Sequence, residues 1–326
     1  MSKDVLGLSS MSNRIINLLI GLSICLVVVH LIFTGNILTD AIARHVYLQL
    51  ALPELLTAGI VGAGLCVASA SLQVLLRNPL ADPSILGLSS GASVVAGILL
   101  TTPLLAVMES PVVLVLTCFV GALLSSVLLM GLSRRLSREH GQILLAGIAI
   151  TTLASAALAW IYVLAPPQQS KTLTFWLLGS FAQSDWSQLF WVGVLVSGCS
   201  VRLLRHAHAL NQLMVGESIA ITHGVEVAKL RRECVVLCAL IVGACVAISG
   251  SIAFVGLLVP HFVRRIWGAD NRMVMPLSMA IGALFMGGVV VLNQALSIIA
   301  LPVSLVTASI GAPVFVYVLL KHRVAG

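Results

Sequence analysis

From Leu55 to Leu76 the chain carries no charged side chain, and after a short break it runs uncharged again from Ile85 to Leu100. Runs of 18 or more mostly apolar residues recur along the sequence, each long enough to cross ~30 Å of hydrocarbon as a helix. The break reads Arg77-Asn78-Pro79-Leu80-Ala81-Asp82-Pro83-Ser84-Ile85-Leu86-Gly87. Its two prolines stop helix on either side, because each lacks an N–H and restricts the residue before it. Arg77 and Asp82 place the turn at water. The expectation is a tight hairpin between two membrane helices, its tip at an interface.

At 59% hydrophobic and 9% charged, with mean hydropathy +1.11, the chain departs from soluble domains, which carry about 25% charged residues. Its 326 residues hold no long polar block. That leaves room for about ten crossings in a single transmembrane domain over residues 1–326, and none for a soluble catalytic domain. The net charge of +7 sits at span ends rather than in a patch, so the positive-inside rule explains it better than nucleic acid does.

Taken in order, the spans are expected at 15–33, 50–76, 85–100, 112–132, 141–165, 187–204 and 233–250, then a short piece at 252–263, then 273–296 and 303–320. The short piece, interrupted by Pro260 and closing on Arg264 and Arg265, is expected to be a half-span held inside protein, since it cannot cross lipid alone. The second span is rich in small residues for close helix packing. Residues 168–186, with Trp176, Phe181 and Trp186, suit the outer interfacial belt or a short helix along it. The one sizeable cytoplasmic loop is 206–232, in which Leu213 to Ala220 is expected to form a short helix ended by Gly224. With both termini inside, every Lys and Arg except Arg44 and Lys171 falls on the cytoplasmic side.

Several chemistries are missing. No GxxxxGK[ST] phosphate loop occurs, so ATP hydrolysis has no site in this chain. No acid, Lys, Arg or His lies between Val112 and Leu132 or between Ile143 and Leu164, so ion-gradient coupling has no visible carrier. The seven cysteines lie in or beside apolar runs without CxxC spacing and are read as packing residues. His261 reads as an interior histidine, and His30 and His45 stand isolated. No metal, cofactor or enzyme activity is expected. An energy source outside the chain is inferred, with the 206–232 loop as its dock.

The hairpin text RNPLADPSILGLSSGA resembles the signature of the FecCD-type permeases, membrane subunits of bacterial ATP-driven importers for iron-siderophores, haem and corrinoids. The likeness covers nearly the whole chain. Gln142 to Gly147 resembles the family's LLLAG pattern, and Trp176 to Phe181 with Trp186 its WxxGSF…W. Asn211, Leu213, Gly216, Glu217, Ala220 and Gly224 fall on its coupling loop. Phe254 to His261 with Arg264 matches FxGLxxPHxxR, and Leu301 to Phe315 resembles LPxGxxTAxxGAPxF. The resemblance implies an all-α integral membrane protein of the BtuC-like type II importer fold, multi-pass in the bacterial inner membrane. It implies a homodimer with the path between two copies, two cytoplasmic ATPase subunits below, and a periplasmic or lipid-anchored substrate-binding protein above. Arg77, Asn78, Pro79, Leu80, Asp82, Pro83, Gly87, Pro260, His261 and Arg264 would form the cytoplasmic hairpin and gate. Gly91, Ala146, Gly147, Gly311 and Pro313 would lie along the translocation path, and membrane lipid would surround the rest.

The outer end departs from the family pattern. Where the family reads Arg-Leu-Pro-Arg, this chain reads Ala51-Leu52-Pro53-Glu54, and a third family arginine falls on Asn293. In the family those arginines grip glutamates on the binding protein, so Glu54 and Asn293 mark an altered docking face. Two function classes follow: an importer permease for an iron chelate, haem or corrinoid, and a carrier of similar shape not driven by ATP. The coupling loop favours the first.

Overall fold

The computed structural model describes residues 21–23, 25–31, 40–102, 111–135, 140–296 and 301–323, and among them the regular structure is helical throughout. The amino-terminal segment, the ends of the first expected span and most of the link between the expected spans 85–100 and 112–132 lie outside the described residues. In chain order the helices are α1 (Gly21–Leu31), α2 (Ala41–Leu75), α3 (Leu88–Thr101), α4 (Pro111–Arg135), α5 (His140–Leu164), α6 (Pro167–Leu178), α7 (Trp186–Arg205), α8 (Ala207–Val215), α9 (Glu217–Thr222), α10 (Val227–Ser249), α11 (Val255–Trp267), α12 (Asn271–Leu296) and α13 (Val303–Arg323). Six are long and apolar enough to span a membrane, and α1, α3 and α13 are shorter apolar helices. With the half-span α11 these are the ten elements expected.

The bundle is built around α2, 78% of whose most apolar stretch is buried, with α12, α10, α11 and α7 packed on it. Pro53 cannot donate a backbone hydrogen bond, and α2 absorbs the loss with a π-helical turn at Tyr47–Ala51, where Leu52 N–H reaches back to Tyr47 O. Further in, α2 and α12 touch backbone to backbone. A Cβ on Gly62 would stand 2.2 Å from Gly282 O, so that crossing tolerates only glycine. Gly91 of α3 and Gly121 of α4 make a second such crossing, where a Cβ on Gly91 would stand 2.5 Å from Gly121 O. In lipid, where side chains gain little by leaving an apolar solvent, this close approach is how helices find packing energy.

The hairpin is where the structure differs most from expectation. Its first part is at the surface: Arg77 and Pro79 are exposed, Asn78 and Leu80 half-buried. From Ala81 to Gly87 the chain turns inward, and Asp82 and Pro83 are buried. Gly87 (φ 85°) packs against Ile150 and Ser125, whose hydroxyl donates to Gly87 O at 2.7 Å. Both residues lie ten positions from the cytoplasmic ends of α4 and α5, a depth of about 15 Å at the helical rise. Asp82 therefore does not keep the tip wet. Non-helical backbone at this depth is tolerated because most of it is buried in protein, with only Ser84 and Ile85 half-buried.

Two smaller differences follow from glycine and proline chemistry. The coupling loop does not form one helix across Leu213–Ala220: it breaks at Gly216 into α8 and α9, and Gly224 (φ 81°) closes α9. Helix α11 runs through Pro260 without interruption. One missing hydrogen bond is sustained there because α11 is buried and tied at both ends.

Candidate coupling and translocation site

The ties on α11 begin with Asp82. Its carboxylate accepts from the backbone N–H of Ser84 at 2.9 Å, from the Ser84 hydroxyl, and from the backbone N–H of Leu257 in the first turn of α11. A helix amino-terminus carries unpaired N–H groups and a partial positive charge, so a buried carboxylate is well placed there. The half-helices α3 and α11 thus begin side by side in mid-membrane, around one acid. Gly256 is obligatory in that packing, since its Cβ would fall 2.8 Å from the carboxylate and closer still to Ser69. Phe254, just before α11, holds φ 70°, and Gly311 of α13 leaves the room for it, with 2.6 Å from a would-be Cβ to that of Phe254.

At the other end of α11, Arg264 donates to Ala70 O at 2.9 Å and to Gln73 Oε1 at 3.4 Å, and Gln73 donates back to Leu257 O. Both partners sit on the last turns of α2. His261, half-buried between these ties, stacks edge-on against Phe262. Among the described residues no group of three His, Cys, Asp or Glu is arranged to hold a metal ion.

The coupling loop lies against this base. Leu210, Leu213 and Ala220 are fully buried and seat it. Arg77 takes the left-handed C′ position of α2 (φ 47°), usually left to glycine, and donates from its guanidinium to Leu213 O at 3.4 Å. Asn211 bonds to Asp270 and Asn271 at the start of α12. Glu217 is paired with Arg231 at 2.9 Å, an ion pair about two-fifths exposed on each side. The loop's outer surface carries Met214, Val215, Ile219 and Ile221 in the open, Val215 71% exposed. An apolar cluster at the cytoplasmic end of a membrane protein, outside hydrocarbon, is a contact surface for protein.

The residues expected along the path are dispersed. Gly91 sits in the α3–α4 crossing, Ala146 is buried, Gly147 packs on the backbone of Ile85 and Leu86, and Gly311 faces Phe254. Pro313 is exposed on α13. Of the six long apolar helices α5 is the barest, with 17% of its apolar stretch buried. At the outer end Glu54 is half-buried and lies near Gln294 of α12, and Asn293 donates to Leu301 O at 3.0 Å. Asp270, Asn271, Arg231, Gln73 and Gln294 were not singled out in the sequence. Only Asp270 carried a signal, as an N-cap residue ahead of an apolar run.

A base of half-helices meeting in mid-membrane, with a loop seated below them, can be compared with known proteins. The FecCD transport family matches residues 13–321. The chain belongs to that family. A vitamin B12 import system permease protein, BtuC, of Vibrio cholerae is 35% identical over 312 residues, covering 94% of this chain and 93% of that one. A hemin transport system permease protein, HmuU, of Yersinia pestis is 36% identical over 299 residues, covering 88% and 87%. A solved metal-chelate type ABC transporter in an inward-facing conformation matches with TM-score 0.82 and 32% identity, over 94% of this chain and 99% of that one. This FecCD protein is thus a multi-pass permease of an ABC importer in the bacterial inner membrane.

Proposed function

We propose that this permease passes an iron-siderophore, haem or related iron chelate inward as a homodimer, with two separate ATPase subunits supplying the energy. A periplasmic or lipid-anchored binding protein would deliver the substrate. The observation that carries the reading is the coupling loop. Its apolar outer face is open to a partner, while its inner face is bonded to the ends of α2, α10 and α12. A push on such a loop reaches the spans as a rigid displacement. The catalytic work would rest with the partner, in keeping with the missing phosphate loop. The bare faces of α5 and α13 would pack on the second copy, with Gly91, Ala146, Gly147, Gly311 and Pro313 setting the spacing of the path between them. All 326 residues would form one permease domain.

A corrinoid is the second reading, favoured by the 35% identity to the Vibrio cholerae vitamin B12 permease. ATP hydrolysis in proteoliposomes tests both. The permease and its ATPase subunits are reconstituted, and binding proteins loaded with ferric siderophore, haem or cobalamin are added in turn. Stimulation by one of them names the substrate. A permease that binds no ATPase subunit sinks the importer reading.

A further inference from the structure

Both ends of the Asn211 amide are spent on the first turn of α12. Its Oδ1 accepts from Asn271 N–H at 2.8 Å and from Asn271 Nδ2 at 2.7 Å, and its own Nδ2 donates to Asp270 Oδ1 at 2.6 Å. Asn271 is fully buried. The first N–H groups of a helix lack intrahelical partners. Here one of them is satisfied by a side chain 60 residues earlier, on α8, so capping α12 and anchoring the coupling loop are a single interaction. Beside the apolar seat of Leu210, Leu213 and Ala220, the loop's ties through Arg77 and Glu217 are weaker. Arg77 reaches Leu213 O at only 3.4 Å, and the Glu217–Arg231 pair is open to water, where an ion pair contributes little.

We propose that Asn211 is the positioning residue that makes α8 and the start of α12 one rigid body. Displacement of the loop then moves α12 directly, and through the Gly62–Gly282 crossing moves α2 with it. The inference rests on the importer reading above. Asparagine is the residue type the node requires, since it must accept from two donors and donate to a carboxylate at once. A carboxylate at 211 would face Asp270 with like charge, and an apolar side chain would leave Asp270 and the Asn271 N–H without this partner.

The test is the number of substrate molecules moved per ATP hydrolysed by the complete complex in proteoliposomes. N211D is expected to lower that ratio by about fivefold or more while ATPase activity persists. The double variant N211D/D270N is expected to restore it, because donor and acceptor trade places. A residue that merely supported folding would lower transport and ATPase together and leave their ratio alone. An unchanged ratio in N211D overturns the proposal, as does a double variant that stays uncoupled. Should N211D fail to assemble, spin labels decide. They are placed at exposed positions by His208→Cys and Ala269→Cys, with exposed Cys25→Ser, in an otherwise native complex. The distance between them should hold within the ~2 Å of ordinary helix shifts between nucleotide-free and vanadate-trapped states, and a larger change overturns the proposal. If the wild-type complex shows no substrate-stimulated ATPase at all, the importer reading fails, and this inference falls with it.

Discussion

The cytoplasmic and outer halves of this permease are held together in different currencies. In the inner half, segments far apart in sequence are joined by side chains: Asp82 to α11, Arg264 and Gln73 between α11 and α2, Arg77 and Asn211 to the loop and α12. In the outer half the joints are mainly main-chain. Val303 N–H donates to Gly179 O at 3.0 Å, Ser180 N–H donates to Ser249 O at 3.2 Å, and Gly250 lies under the Trp176 carbonyl. Even the Trp186 indole reaches a backbone oxygen, Leu48 O. Side-chain joints demand particular residue types and can be broken or exchanged one at a time. Main-chain joints demand only room, which is why glycines mark them.

The largest expected effect is at Asp82. Asp82→Ala strands the Leu257 and Ser84 N–H groups in a buried site, at about 1–3 kcal/mol for each unsatisfied group. The melting temperature and yield of the solubilised protein should fall steeply, whereas Asp82→Asn keeps an acceptor and should fall much less. Equal losses in the two variants would mean that the acid's charge, and not its hydrogen bonds, holds the half-helices.

At the outer end, Gly250→Ala should act through space alone. Its Cβ would lie 2.1 Å from Trp176 O, at a backbone φ of 69°. With ψ −164° beside that φ, the backbone is in a region open essentially only to glycine, which costs another side chain about 1–3 kcal/mol, and the clash adds to it. A thermal melt close to wild type would show that the outer joint yields where the inner one does not.

Glu217→Gln should cost under about 1 kcal/mol, because its pair with Arg231 is exposed. A large loss of ATPase docking without loss of stability would place Glu217 in the partner's groove instead of on Arg231. Glu54→Arg, which restores the family's residue, should speed docking of an acidic-lobed binding protein in a salt-dependent way, read as an increase in association rate in biolayer interferometry. No change would mean that the Gln294 side of the site, and not charge, sets the outer partner.

The smallest effect is the acid titration of Asp270. The Arg272 guanidinium beside it, and then the Asn211 amide, hold its carboxyl down at about 2 against an ordinary 3.8. A depressed carboxyl contributes stability above its ordinary value and loses it as pH falls through the folded one. A shallow loss of melting temperature is expected between about pH 4 and pH 2, and Asp270→Asn should flatten it.

The number and placing of the spans, the half-span before Trp267 and the break at Arg77 were legible in the sequence, because run length and proline or glycine chemistry act locally. So was the family, since the inner joints use residue types that leave recognisable text. Local chemistry did not settle how deep the hairpin goes. Arg77-Asn78-Pro79 and Ala81-Asp82-Pro83 read alike as polar turn, yet one is at the surface and the other buried. Nor did it show that Asn211 caps a helix 60 residues on, or that Arg264 bonds a carbonyl 194 residues back. A polar side chain at membrane depth is stable only with its partner in place, and which groups meet there is decided by the glycine crossings that set how closely the helices pack. The sequence by itself determined which segments enter the membrane, and only the tertiary structure decided which polar groups they bring together inside it.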